Sequence, residues 1–146
     1  MSLFSAIAVS ASGMEAQRKR AELITENLAN AETTRTPEGG PYRRKDAVFE
    51  SAPAGESFSD VLSSLAAGGG PQGVIVSGVL TDDRDPDRRY MPGHPDADPD
   101  GYVAFPRINP AEEMVDLMST SRGYQANVAA ISSVKDMINR SLDLFR

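Results

Sequence analysis

The stretch Asp96-Ala97-Asp98-Pro99-Asp100-Gly101 is where residue type and spacing first suggest chemistry. It matches the opening six positions of an EF-hand calcium loop, in which alternating carboxylates supply oxygen ligands and the glycine allows a sharp turn. The twelfth position, which should bring a bidentate Glu, is Arg107, and Pro99 and Pro106 fall inside the loop with no helical pattern leading into it. A solvated acidic turn ahead of a strand beginning at Tyr102 is the simpler reading, and no metal is expected. A second run, Asp82, Asp83, Asp85 and Asp87, is interleaved with Arg84, Arg88 and Arg89, which neutralise it locally. His94 is the one histidine, so neither a Ser/His/Asp triad nor a zinc site built on paired histidines is expected within one chain; it reads as a structural loop residue. Cysteine is absent, which removes disulfides, thiolate nucleophiles and thiolate-bound metals together. Gly68-Gly69-Gly70 runs into Pro71-Gln72-Gly73 without the Lys-Ser/Thr that holds a nucleotide phosphate, and no pair of acids carries a pocket signature. No catalytic residue, cofactor or small-molecule substrate is expected. The chain reads as a building or binding element rather than an enzyme.

Its organisation lies in the distribution of helix breakers. All ten prolines lie between Pro37 and Pro110, and ten of the twelve glycines between Gly39 and Gly101. The two ends are therefore free to form continuous helices while the middle must turn repeatedly. Three parts follow: an N-terminal helix over 1–31, a Pro/Gly-rich middle with short strands over 32–109, and a C-terminal helix over 110–146. The first part carries three acids and three bases, the middle thirteen and eight, and the last five and four, so most of the net charge of −6 belongs to the middle. With that balance the Arg43-Arg44-Lys45 cluster is too short to make a nucleic-acid face, and no nucleic acid is expected. Met1 to Gln17 lacks the basic start and cleavage site of a Sec-type signal peptide, and no stretch approaches the roughly 18 apolar residues of a membrane span, so the chain is expected to be soluble when made.

In steps of four and three the first segment reads Leu3, Ile7, Ser10, Met14, Gln17, Ala21, Ile24 and Leu28, a heptad seam. The last reads Met114, Leu117, Ser121, Tyr124, Val128, Ile131, Lys135, Ile138, Leu142 and Phe145. Asn109 can cap the second helix, Pro110 suits its first position, and Glu112 sits three past the cap. At 1.5 Å per residue the helices span about 42 and 54 Å, long enough to pair along most of their length. A two-in-seven seam is narrower than the apolar face of an ordinary globular helix, so further helices are expected to cover it. In the middle, Val74-Ile75-Val76 with Val79-Leu80, and Tyr102 to Phe105, read as strands, and Phe58, Val61, Leu62 and Leu65 as a short helix before the Gly68–Pro71 linker. The fold class is α+β: long terminal heptad helices packed as a coiled-coil hairpin, with a small loop-rich, β-containing middle.

Asn27-Leu28-Ala29-Asn30 followed by Thr33 and Thr34, and Glu113-Met114-Val115 followed by Arg122-x-Tyr124-Gln125-Ala126-Asn127, resemble the end motifs of the flagellar axial protein family of rod and hook subunits. The middle narrows the resemblance to proximal-rod members: Gly40-Pro41-Tyr42-Arg43-x-Lys45, Val48-Phe49, Tyr90-x-Pro92-Gly93-His94-Pro95-x-Ala97 and Gly101-Tyr102-Val103 follow in collinear order. One departure is Asn109-Pro110-Ala111-Glu112, where the family more usually has Val-Asp or Val-Asn, and only the local direction of approach to the helix is affected. The resemblance implies a structural subunit of the basal body, made in the cytoplasm and exported without cleavage by the flagellar type III apparatus. Such a subunit joins copies of itself and sibling rod proteins in a hollow, torque-transmitting rod that crosses the periplasm, with its base near the membrane ring. The residues expected to carry assembly and packing are Leu3, Ile7, Met14, Ile24, Asn27, Leu28 and Asn30 in the first helix. In the second they are Met114, Leu117, Arg122, Tyr124, Asn127, Val128, Ile131, Ile138 and Leu142. Asn27 and Asn30 are expected to bond last-turn carbonyls or a neighbouring backbone, or to end the helix in the left-handed conformation. Tyr124 is expected in the seam with Arg122 and Asn127 at its border. The rival reading is a soluble helical-hairpin adaptor or binding module.

Overall fold

The computed structural model describes residues 3–53 and 72–143. Where proline is absent the chain is helical: α1 spans Leu3–Ala29 and α2 spans Pro110–Asp143. Between them lie four strands, β1 (Lys45–Pro53), β2 (Gln72–Thr81), β3 (Asp87–Tyr90) and β4 (Tyr102–Phe105). They form two separate antiparallel pairs, β1 with β2 and β3 with β4. The expected strands around Val74–Leu80 and Tyr102–Phe105 are both present. The expected short helix at Phe58–Leu65 and the Gly68–Pro71 linker lie outside the described residues. Two strands have no counterpart in the sequence reading. β1 carries Asp46 and Glu50 between its apolar residues, and β3 is Asp-Arg-Arg-Tyr, so each becomes a strand by pairing with a stronger partner rather than by its own propensity.

The α2 start is made as its residues suggest. Asn109 Oδ1 accepts the Ala111 N–H at 3.1 Å, and the Asn109 carbonyl accepts the Glu113 N–H at 3.1 Å. α1 closes differently from the left-handed ending that asparagine permits. Among the described residues no non-glycine residue has positive φ. The Asn30 side chain instead folds back, donating through Nδ2 to the Glu26 carbonyl at 2.9 Å and accepting the Thr33 hydroxyl at 3.1 Å.

The helices lie side by side and run antiparallel, since contacts that advance along α1 retreat along α2: Gly13 faces Asn127, Gln17 faces Gly123, and Asn27 bonds Glu113. Each glycine opens a hole filled by the other helix's amide side chain. A Cβ at Gly13 would stand 3.0 Å from Asn127 Nδ2, and one at Gly123 would stand 3.2 Å from the Gln17 amide. Both positions therefore favour the smallest residue for close approach. α1 also carries the β1–β2 hairpin, where Ser12 Oγ accepts the Val74 N–H at 3.0 Å and donates to the Val9 carbonyl at 2.8 Å. A two-stranded hairpin is marginal alone, and α1 supplies the surface it needs. A register shift between Val48 and Phe49 keeps Lys45, Ala47, Val74 and Val76 half-buried while Val48, Ile75 and Leu80 stay exposed.

The β3–β4 hairpin closes around Gly101, whose φ is +81°. Its carbonyl accepts the Met91 N–H at 2.8 Å, and Tyr90 meets Tyr102 edge to face with ring centroids 5.4 Å apart. A Cβ at Gly101 would lie 2.9 Å from the Tyr90 ring. Gly101→Ala is therefore expected to lower stability by about 2 kcal/mol through left-handed strain and displacement of that ring, read as a lower urea midpoint. The acid loop that imitates a calcium site is used to fasten this hairpin. Asp96 accepts the Thr34 hydroxyl at 2.8 Å and faces Arg35 at 3.9 Å, its N–H donates to His94 Nδ1 at 3.1 Å, and His94 stands against Phe105.

Candidate assembly site

The described core is small, with Ala16, Ile24, Tyr42, Val103, Phe105 and Val134 as its buried apolar members. Its most enclosed polar residue is Asn27, with no exposed surface. After α1 the chain reverses through Thr36–Gly40, where Gly39 and Gly40 take φ of +93° and +76°, and Tyr42 N–H returns to the Thr33 carbonyl at 3.0 Å. That reversal lays the first residue of β1 against the last turn of α1. Asn27 then treats Lys45 as a strand partner would: Oδ1 accepts the Lys45 N–H at 2.9 Å and Nδ2 donates to the Lys45 carbonyl at 2.8 Å. Oδ1 also accepts the Tyr42 hydroxyl at 3.1 Å, and Nδ2 donates to Glu113 Oε2 at 3.4 Å. All four hydrogen-bonding capacities of the amide are in use.

Glu113, 1% exposed, brings in α2. Its Oε1 accepts from Arg44 Nε at 2.5 Å, and Arg44 also pairs with Asp46 and reaches Asp116 at 3.9 Å. Burial opposes the Arg44 charge, yet the bond to Glu113 and the charges of Asp46, Glu113 and Asp116 outweigh it and raise its pKa. Arg20 reaches Asp116 at 3.6 Å, so α1, β1 and α2 share one network. Such a buried network contributes little net stability over an apolar core of equal volume. Its consequence is geometric, because any other register leaves charges and amides unpaired. Sequence reasoning named Asn27 but assigned Tyr42, Arg44 and Glu113 no role. Tyr42 and Glu113 were signalled by motif membership alone and Arg44 only as part of a basic cluster, since contacts between residues 27, 44 and 113 join distant parts of the chain.

Tyr42 carries a measurable consequence. Burial, then the nearby Glu26 and Glu113 carboxylates, push its hydroxyl up to about 12, while Lys45 stands 5.5 Å from its ring centroid. An unfolded tyrosine loses its proton near pH 10, so between pH 10 and 12 the folded state holds the extra proton and stability falls as pH rises. The contribution is fully present below pH 10 and amounts to about 2–3 kcal/mol lost across that window. Tyr42→Phe is expected to flatten this part of the alkaline stability curve measured by denaturant titration.

The other expected assembly residues divide. In α1, Ile24 is buried, Ile7, Met14, Leu28 and Asn30 are half-buried, and Leu3 is exposed. In α2 the residues turned inward are Glu113, Leu117, Thr120, Gly123, Asn127, Ile131, Val134 and Ile138. Leu117, Ile131 and Ile138 were expected in the seam, and Asn127 at its border. Met114, Tyr124, Val128 and Leu142 are instead exposed beside that face, and Arg122 is exposed away from it. The physical reason is close approach: Gly13 and Gly123 admit amide side chains and leave no room for Tyr124 or Val128. Gln17 Oε1 is buried in this contact without a hydrogen-bond partner among the described residues. Also among the described residues, no group of three His, Cys, Asp or Glu side chains is placed to hold a metal ion, and no helix is long and apolar enough to cross a membrane.

Residues 7–35, which contain α1 beyond its first turn and the segment that follows it, match the family model described as flagella basal body rod protein. Residues 100–144, which contain β4 and α2, match that of the flagellar basal body rod FlgEFG protein C-terminal. The whole chain is similar to the flagellar basal-body rod protein FlgC of Bacillus subtilis, 43% identical over 99% of both chains. It is also similar to those of Borreliella burgdorferi, 41% identical over 100% of this chain and 99% of the other, and Salmonella typhimurium, 37% identical over 99% and 98%. End-to-end similarity at this identity covers the helices, both hairpins and the buried junction alike, and the chain belongs to the flagellar basal-body rod protein FlgC family.

Proposed function

We propose that the two terminal helices, packed as a coiled-coil hairpin, are the elements by which this subunit is built into its assembly, and that neighbouring helices cover the apolar side of α2. Membership in the family makes the chain a structural subunit of the rod of the flagellar basal body, in contact with other rod components. A structural family fits a non-enzymatic role. The observation that carries the helix reading is the exposure of Met114, Val115, Met118, Val128 and Leu142 on the sides of α2 that do not meet α1. Large apolar side chains left outside the occupied face mark a surface that a partner buries. A contact of this kind that repeats without closing gives a tube, which is how a small subunit can make a hollow shaft that transmits torque. Family resemblance supports the finer history: synthesis in the cytoplasm, export by the type III apparatus without cleavage, and a place in the proximal rod near the membrane ring.

The test is Met118→Asp. Met118 is 54% exposed, so the change is expected to leave the unfolding free energy from urea titration within about 0.5 kcal/mol of wild type. Amide hydrogen exchange of the full-length chain, alone and mixed with sibling rod proteins, is expected to show α2 protection gained on mixing in wild type and lost in the variant. A variant protected as well as wild type would sink the reading.

A further inference from the structure

The reversal after α1 and the Asp82–Pro86 turn enclose a cavity of about 100 Å³ against Pro106 and Arg107. Four arginines, Arg43, Arg44, Arg84 and Arg107, line it, with Asp82 as its one carboxylate. This is an unusual concentration for a chain of net charge −6. The partners of three of them are known. Arg44 is turned to Glu113 at 2.5 Å, Arg84 grips Asp82 at 2.9 and 2.5 Å, and Arg43 reaches Asp83 at 2.9 Å, whose side chain is 90% exposed. Arg107 has no hydrogen-bonded or ion-paired partner among the described residues; its charge acts on Asp82 and it also lines the adjoining cleft with Asp85, Asp87 and Glu112, so its guanidinium donors stay open to a further carboxylate. The Arg43–Asp83 pair, exposed on both sides, holds Arg43 only weakly, so a second guanidinium can be recruited.

We propose that this cavity is a carboxylate subsite that receives an Asp or Glu side chain from an adjoining copy of the chain. Guanidinium forks present paired donors that match a carboxylate, and the volume admits a group of that size. The chain itself supplies the ligand chemistry. Its middle carries thirteen acids against eight bases, and Asp85 and Glu112 are exposed without an ion-pair partner among the described residues. A polyanion is disfavoured, because beyond the cavity the acidic molecule repels it. The contact also offsets the mutual repulsion of copies that each carry −6.

The proposal rests on the reading that copies pack side by side, and the experiment separates the two. Arginine Nε–Hε resonances of the full-length chain are followed by NMR during titration with glutarate, with inorganic phosphate, and with sodium chloride at matched ionic strength. Sedimentation velocity follows self-association of wild type, Arg107→Gln and Met118→Asp at tens to hundreds of micromolar. Saturable shifts of Arg43, Arg84 and Arg107 with glutarate but not chloride are expected, lost in Arg107→Gln at an unchanged melting temperature. That variant is also expected to weaken self-association at least tenfold, and glutarate to do the same to wild type. Shifts shared equally with chloride would overturn the subsite. Phosphate or glutarate binding that leaves association untouched assigns the cavity to a free anion and overturns the adjoining copy as its source. Association lost in Met118→Asp but intact in Arg107→Gln overturns this proposal alone, whereas a wild-type chain that never associates overturns the adjoining copy and counts against the helix reading as well.

Discussion

Asn27→Leu is expected to destabilise the subunit by about 3 kcal/mol or more, the largest effect of any single substitution considered. The side chain is fully buried and all four of its hydrogen bonds are made, so replacement orphans the Lys45 N–H and carbonyl and the Tyr42 hydroxyl, and removes one donor from Glu113. Each buried group left unpaired costs about 1–3 kcal/mol, and leucine cannot branch into the amide's flat space without moving its neighbours. Asn27→Asp tests the same site by charge rather than shape. It keeps the acceptor for Lys45 N–H, loses the donor to the Lys45 carbonyl, and sets a second carboxylate beside Glu113. The loss at neutral pH is expected to match that of leucine, and part of it to return below about pH 5, where protonation removes the repulsion and restores a donor. Urea unfolding followed by circular dichroism at pH 7 and pH 4.5 checks both. An Asn27→Leu variant within 1 kcal/mol of wild type would mean that the junction opens easily to water.

Arg44→Met comes second, at about 3 kcal/mol, because it strands the Glu113 charge in a site with 1% exposure. The reciprocal change is expected to be milder. Glu113→Gln leaves Arg44 with Asp46 and Asp116 and with partial access to water, and its amide oxygen can still accept from Arg44 while its NH2 faces the Asn27 amide nitrogen across the longer contact, so a loss of about 1–2 kcal/mol is expected. The ranking is the diagnostic result. Equal losses would indicate that the pair acts mainly by attraction, whereas the unequal losses expected here show that the buried, water-poor member sets the cost. Because the network joins α1, β1 and α2, Arg44→Met is also expected to raise hydrogen exchange in the last turn of α1 and the first of α2 together.

Much of this architecture was legible in local pattern. Proline placement marked both helices, and Asn109-Pro110 marked where the second begins, since caps and breakers act within one turn of chain. The β-branched run at Val74–Leu80 and the Tyr102–Phe105 strand were readable for the same reason. β3 was not, because Asp-Arg-Arg-Tyr takes strand form only through its pairing with β4. The rotation of α2 was hidden as well. Apolar periodicity selects Met114, Tyr124 and Val128 as a seam, but it cannot tell the face that meets α1 from the face left for another molecule. That choice was made by Gly13 and Gly123, which let Asn127 and Gln17 fill the contact and turned the larger apolar residues outward.

The sequence by itself therefore determined that both proline-poor ends are helical with strands between them, and the family, all of them properties of neighbouring residues or of collinear motifs, and it marked Asn27 as a motif member. Only the tertiary structure decided what Asn27 does. Its partners Tyr42, Lys45 and Glu113 lie 15, 18 and 86 residues away, and a hydrogen bond across such separations exists only once the chain between has closed. The same holds for the arginine-lined cavity, whose walls come from the α1 reversal, the turn after β2 and the residues following β4, segments that share no periodicity and meet only in the folded molecule.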